Sequence, residues 1–194
     1  MCRIHRRRYF LVTLHGRVNK RFGRGRTEEK WMKENHADYK INQKTMAIRC
    51  ARHLEYQTHI IESGQSCYSP MTPLQLMDYA CIMGGSTYKG RQDSVRYKFS
   101  FYSKIPILVN QNEEIIMFPT HSPTHIDNTW ISLEHFHKAY EHTERGKAIV
   151  EFINGERITV SCSVKTINKQ HQRASALMLQ ELHYPRKRMV MRVE

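Results

Sequence analysis

With 194 residues, 40% of them hydrophobic and 10% aromatic, the chain can bury one core, which excludes an intrinsically disordered protein. The formal net charge of +13 favours a polyanionic partner such as nucleic acid, and no apolar run is long enough to span a membrane. Five widely spaced cysteines without a C-x-x-C pair are typical of reduced thiols in a cytoplasmic protein, not of a disulfide framework.

Residues 1–36 are predicted to be a basic N-terminal extension outside the fold. Residues 1–31 hold ten Lys/Arg and two Glu, a net charge of +8, whereas the other 163 residues carry only +5. One hypothesis is a flexible arm that grips phosphates. The alternative, which we favour, is a protein that starts at Met32, because Glu28-Glu29 can be encoded as a purine-rich stretch resembling a bacterial ribosome-binding site.

Short strands and one helix are predicted next. Turn-forming residues separate four predicted strands: Tyr39–Ile41, Thr45–Arg49, Thr58–Glu62 and Ser66–Tyr68. Thr72 and Pro73 then predict the start of a helix, because Thr caps a helix and Pro suits its first position. Apolar residues at helical spacing run up to Met83, and Gly84-Gly85 predicts the end of the helix in a left-handed conformation.

A basic loop and a half-buried strand are predicted after this helix. Residues 86–94 are polar and basic, which indicates a loop. Residues 95–101 alternate, with Arg96 and Lys98 on one face and apolar or aromatic side chains on the other. This pattern predicts a strand that carries its cations outward.

Hairpins and a second helix complete the predicted fold. The predicted strands are Ile105–Val109, Ile115–Phe118, Trp130–His137, Ala148–Ile153 and Glu156–Val160. Asn154-Gly155 predicts a two-residue turn with positive φ angles. The period becomes helical from Thr166 to Leu182. The predicted class is α+β, a mainly antiparallel sheet of short strands and hairpins with two packed helices, in a folded domain over residues 37–183, followed by a short basic tail over residues 184–194.

Catalytic and metal-binding patterns are missing from the sequence. It contains no P-loop, dinucleotide-binding or nucleophile-elbow motif and no paired carboxylates, so we expect no enzyme activity, no catalytic residues and no cofactor. Four histidines and one cysteine imitate the composition of a zinc site: His121, His125, His135, His137 and Cys162. We interpret them as ordinary surface or packed residues, because twelve histidines are spread along the chain and no Cys pair anchors a site.

Basic and aromatic residues alternate in one short segment. Five cations, Lys89, Arg91, Arg96, Lys98 and Lys104, are interleaved with Tyr88, Tyr97 and Tyr102. Lys165, Lys169 and Arg173 form a second basic series on the last predicted helix. Such interleaving suits contact with phosphates and bases, although a solvated strand or helix face is an equally good interpretation of the residues alone.

Several ordered motifs resemble the ComK family, the competence transcription factors of Gram-positive bacteria. They are PLQLMDYACIMGGSTYKGR, KIPILV, IIMFPTHS, TWIS, VEFINGERITV and S-x-x-T-I-x-x-Q-x-x-R from Ser163 to Arg173. The opening hairpin at residues 39–48 is similar too. The resemblance covers about residues 37–183, and the order and spacing of its motifs make it specific.

The resemblance implies a DNA-binding transcription activator of competence genes rather than an enzyme. It implies double-stranded DNA with paired A·T-rich boxes as the partner, bound through the minor groove by a homodimer that assembles further on DNA. A narrow A·T minor groove attracts Arg and Lys. On this basis the expected DNA-binding residues are Lys89, Arg91, Arg96, Lys98 and Lys104, followed by Lys169 and Arg173.

Two departures from the family pattern keep alternatives open. Residues 1–31 match nothing in the family, and the short basic tail Tyr184–Glu194 differs from the longer family tail that an adaptor of the Clp protease recognises. The altered tail argues against that adaptor as a partner. A truncated or degenerate ComK-like regulator without full activation function is therefore one alternative. The other, suggested by the Arg-rich first segment, is a basic RNA- or ribosome-associated protein.

Overall fold

The computed structural model describes residues 39–183, which form two antiparallel sheets and three α-helices. The strands are β1 Thr45–Cys50, β2 Thr58–Glu62, β3 Gln65–Ser69, β4 Ile107–Asn110, β5 Ile115–Pro119, β6 Thr129–Ser132, β7 Phe136–Glu141, β8 Ala148–Phe152 and β9 Arg157–Val160. The helices are α1 Pro73–Met83, α2 Tyr88–Phe99 and α3 Val164–Met178, and α3 continues into a π-helical segment, Leu179–His183. The predicted α+β class with mainly antiparallel pairing is confirmed.

Sheet A has six strands in the order β3-β2-β1-β6-β5-β4, and sheet B has three in the order β7-β8-β9. Helices cover both faces of sheet A. Trp130 on β6 meets Tyr88 of α2 edge-on at 6.1 Å, whereas Phe118 on β5 meets His171 of α3 at 6.2 Å. Phe118 pairs with Ile131, the neighbour of Trp130, so Phe118 and Trp130 point to opposite faces. Sheet A therefore lies between α2 and α3, with β4 at one edge.

The predicted loop at residues 86–94 and strand at 95–101 are wrong, because this segment is helix α2. Thr87 caps the helix by accepting a hydrogen bond from the Gly90 amide at 3.0 Å. Tyr88, Val95 and Phe99 then pack against the core at helical spacing. Val95 and Phe99 fit both a period of two and a helical stripe, so the alternation that predicted a strand was not decisive.

Three further predictions about strands and turns are wrong. Residues 39–41 form no strand. The predicted strand 130–137 is split between β6 in sheet A and β7 in sheet B. In the β8–β9 turn only Gly155 has a positive φ angle, at 83°, and its amide donates to the Phe152 carbonyl. The turn is therefore a longer loop that ends in a left-handed glycine, not the predicted two-residue turn.

Helix α1 ends at the predicted glycine pair, but the two glycines have different roles. Gly84 has φ −83° and ψ 8°, so it is not left-handed. A Cβ atom there would lie 2.3 Å from the Val109 carbonyl oxygen of β4. Gly85 has φ 89° and open space around its Cα. Gly84 thus permits close packing of α1 on β4, and Gly85 supplies the left-handed turn.

Candidate nucleic-acid interface

The end of α2, the loop of residues 100–104 and helix α3 meet beside β4, the edge strand of sheet A. Two contacts join them across the chain. The Lys98 Nζ atom lies 2.6 Å from Glu181 Oε1, and Arg173 Nη1 donates to the Ser103 carbonyl at 2.9 Å. The loop therefore lies against α3 near the β4 edge of the sheet.

Arg173 is also held by an aromatic pair. Its guanidinium carbon lies 4.7 Å from the ring centroid of Phe101, and Phe101 stacks on Phe99 at 5.3 Å. This cation–π contact keeps the guanidinium flat on the loop while it stays partly exposed. Arg173 thus fixes the loop and still presents charge to solvent.

Lysines of the loop and of α3 add positive charge to this surface. In the loop, Lys104 lies close enough to His121 for its charge to be the second cause, after burial, of the lowered pKa of that histidine. Lys165, Lys169 and Arg173 follow one another at four-residue spacing and share one face of α3. Lys165 and Lys169 are exposed, and neither has an ion-pair partner among residues 39–183.

Two tyrosines stand out from this surface. Tyr97 is 91% exposed and Tyr102 is 77% exposed, although large aromatic side chains normally bury most of their area. We call the whole surface the β4-edge ridge. Its members are Tyr97, Lys98, Tyr102, Lys104, Lys165, Lys169 and Arg173.

The loop in the ridge has an uncommon backbone. Ser100 and Lys104, which bound it, both adopt the left-handed conformation, with φ angles of 54° and 50°. Residues other than glycine, Asn and Asp rarely adopt this conformation, and where they do the surrounding structure holds them there. The contacts to α3 described above supply that restraint.

Two of the sequence-predicted residues lie on α2 away from α3. Lys89 Nζ and Arg96 Nη1 approach the same carboxylate oxygen of Asp93, at 2.9 and 3.2 Å. This pairing lowers the pKa of Asp93 and partly neutralises the two cations. Lys89 and Arg96 therefore flank the ridge instead of extending its unpaired charge.

Arg91 occupies a structural position. Its Nη2 atom donates a hydrogen bond to the Gly84 carbonyl at the end of α1, and its Nε atom is buried without a hydrogen-bond partner in the part of the chain that the structure describes. The side chain joins α1 to α2 and is only partly exposed. Sequence spacing could not separate this role from those of Lys89 and Arg96, because all three follow Tyr88 within eight residues.

The residues that imitated a zinc site do not converge. His121 and His125 stack at 4.7 Å, whereas the His135 ring nitrogen lies 2.6 Å from the Gln43 carbonyl oxygen. In residues 39–183 no three His, Cys, Asp or Glu side chains are placed to hold a metal ion together. Across the same residues, every helix is too short or too polar to traverse a lipid bilayer.

Comparison with known proteins identifies a family and a curated relative of this chain. The family model described as ComK protein matches residues 36–182. The competence transcription factor of Bacillus subtilis (strain 168) is 34% identical over 118 residues, which are 61% of this chain and 61% of that protein. The match thus spans about three fifths of the length of the curated relative. No solved structure matches the chain.

Proposed function

This chain belongs to the ComK family, and we propose that it is a competence transcription regulator that binds double-stranded DNA through the β4-edge ridge. The relative's name supports the regulatory role, and the family model covers residues 36–182, nearly all of the described fold. The ridge supplies what a DNA surface needs, which is unpaired cations for phosphates and exposed aromatic side chains for contacts between them.

One observation supports this assignment more than any other. The chain brings residues 97–104 and 165–173 together from more than sixty positions apart. The result is a surface of cations and tyrosines in which Lys104 and Arg173 are partly exposed and the other members are exposed. Only one carboxylate, Glu181, pairs with a ridge cation among the described residues. A solvated surface without a polyanionic partner would usually mix both signs of charge.

The target in this proposal is the minor groove of paired A·T-rich boxes. Narrow A·T minor grooves have an enhanced negative potential that favours inserted Arg and Lys side chains. Lys104, Lys165 and Lys169 are the expected groove or phosphate contacts. Lys98 and Arg173 belong to the same ridge, and Lys89 and Arg96 flank it on α2. Arg91 supports the surface from behind. Binding to paired boxes accords with a homodimer that assembles further on DNA and activates competence genes.

The test compares two double variants that each remove two positive charges. Lys165→Gln with Lys169→Gln changes the ridge, and Lys44→Gln with Arg145→Gln changes exposed cations in two turns of the sheets. Fluorescence anisotropy would measure binding of a paired A-tract duplex and of a G·C duplex of equal length, over a series of salt concentrations.

We expect the ridge variant to bind the A-tract duplex at least tenfold more weakly. Each lost phosphate contact reduces the slope of log K against log salt by about 0.9, so the slope should fall by about 2. The control variant should keep most of the affinity. An equal loss of affinity in both variants, or equal affinity of the unaltered chain for both duplexes, would show nonspecific charge attraction. Either result would refute the proposal.

A further inference from the structure

A second charged surface lies beside strands β1, β2, β3 and β6, on the face of sheet A that also carries α3. It is a pocket of about 470 Å³ between the ends of the two sheets. Strands β1, β2, β3 and β6 supply one wall, and Lys147 with residues 159–161 from sheet B supplies the other. Its volume is in the range of small-molecule sites.

Four side chains form a row across the floor of the pocket. Tyr68, His59, Arg49 and Thr129 are successive cross-strand partners on β3, β2, β1 and β6, so they point to one face of sheet A. Arg49 Nε lies 3.3 Å from His59 Nδ1, and the His59 ring stacks on Tyr68 at 4.9 Å with 16° between the planes. The row is thus a connected array and not a chance cluster.

Arg49 has no carboxylate partner within residues 39–183. Burial, together with the charge of Arg52, lowers the pKa of its guanidinium, although Tyr68 opposes this. The one acid that lines the pocket, Asp127, lies 3.4 Å from the Arg52 guanidinium instead. A half-buried cation without a counter-charge is costly, so the floor of the pocket favours an anion.

His59 adds a hydrogen-bond donor beside this charge. Burial and then the charge of Arg49 lower its pKa to about 4, so the ring is neutral at pH 7. Because its Nδ1 atom accepts from Arg49, the proton resides on Nε2. That Nε2 atom is buried and has no acceptor among the described residues. Arg49 and His59 therefore offer donors that an oxyanion would satisfy.

We propose that this pocket binds the phosphate group of a nucleotide-sized ligand. A phosphate carries two charges and several acceptor oxygens, which match Arg49 and the Nε2–H of His59. Arg52 and Lys147 add positive charge at the rim, where they form exposed ion pairs with Asp127 and Glu144. Beside the floor, the rings of His53 and Tyr56 lie 5.0 Å apart and Tyr56 lies 5.8 Å from Tyr68, an arrangement on which a base can stack. The site does not depend on DNA binding by the ridge.

Isothermal titration calorimetry of the full chain with AMP, inorganic phosphate and adenosine would test the site. AMP should bind, phosphate should bind more weakly, and uncharged adenosine should bind at least tenfold more weakly than AMP. Arg49→Gln should reduce AMP affinity at least tenfold, and circular dichroism would check its fold. Because Arg49 lies in a central strand, the rim variant Arg52→Gln with Lys147→Gln gives a second measurement, with at least a threefold loss expected.

Lys44→Gln is the matched control, because it removes an exposed charge beyond the other end of β1 and should leave AMP affinity unchanged. The same variants would be titrated with the A-tract duplex to distinguish the two sources of a phosphate. If the Arg49 and rim variants lose duplex binding while neither they nor the unaltered chain bind AMP, the pocket binds the phosphates of a DNA backbone and not a nucleotide. Equal affinity for AMP and adenosine would overturn the phosphate site. So would variants at Arg49 and the rim that bind both AMP and the duplex as tightly as the unaltered chain does.

Discussion

Gly84 and Gly85 are adjacent in the sequence, yet alanine substitutions at the two positions should have very different costs. At Gly85 an added Cβ meets nothing within 4 Å, so the cost comes only from the left-handed backbone. For a residue with a side chain this is about 1–2 kcal/mol of the free energy of unfolding. At Gly84 the backbone is ordinary, but the added Cβ lies 2.3 Å from the Val109 oxygen and 3.2 Å from the Asn110 Cα.

The contact at Gly84 is with backbone atoms, which cannot rotate away as a side chain can. Relief of the clash requires α1 to move away from β4 by roughly 1 Å, which opens the packed core around it. We therefore expect Gly84→Ala to reduce the free energy of unfolding by about 3 kcal/mol or more, at the upper end of the overpacking range.

Urea unfolding followed by far-UV circular dichroism would measure both variants. Gly85→Asn and Gly84→Asn provide a second comparison, because asparagine tolerates the left-handed region better than alanine does but still carries a Cβ. Gly85→Asn should cost less than Gly85→Ala, whereas Gly84→Asn should be at least as harmful as Gly84→Ala. Equal costs at the two positions, or a larger cost at Gly85, would refute the assignment of their roles.

Three further predictions concern stability. Tyr39→Phe removes a buried hydroxyl that donates to Glu62 at 2.6 Å. Urea unfolding should show that the free energy of unfolding decreases by about 1.5–3 kcal/mol, and no decrease would mean that this hydrogen bond contributes nothing to stability. The pKa of His59 is lowered to about 4, so between about pH 6.5 and 4 the unfolded state binds a proton that the folded state does not. The free energy of unfolding should therefore decrease as the pH is lowered through this window. In His59→Gln the decrease should be shallower, and an unchanged decrease would contradict the shift. Lys98→Gln should cost less than about 1 kcal/mol by thermal unfolding, because its ion pair with Glu181 is partly exposed, and a larger loss would mean that the pair holds α3 in place.

The helix start at Thr72-Pro73 was predictable because its signals are local. Thr72 and Gln75 form a capping box, and Pro73 occupies the first turn, so the sequence alone determines where α1 begins. Helix α2 was not predictable from alternation, because Val95 and Phe99 satisfy both periods. The deciding contact is between Tyr88 and Trp130, which are forty-two positions apart.

The candidate site shows the same division between local and distant information. The basic and aromatic residues of the ridge were recognisable as a composition, but their meeting at β4 depends on the contact of Arg173 with Ser103, seventy positions earlier. The structural role of Arg91 and the row through Arg49 and His59 likewise depend on which elements become neighbours. Neither has a signal at a fixed spacing along the chain.

The contact of Arg173 with the loop of residues 100–104 also has a consequence for the protein during its synthesis. The loop leaves the ribosome some seventy residues before Arg173 does, and until then it lacks the partner that orders it. A nascent chain therefore carries Lys104 of the loop without the surface to which it later belongs. If the ridge binds DNA, the protein can bind only after α3 has emerged from the ribosome and packed against the loop. Unfinished chains then do not occupy promoters.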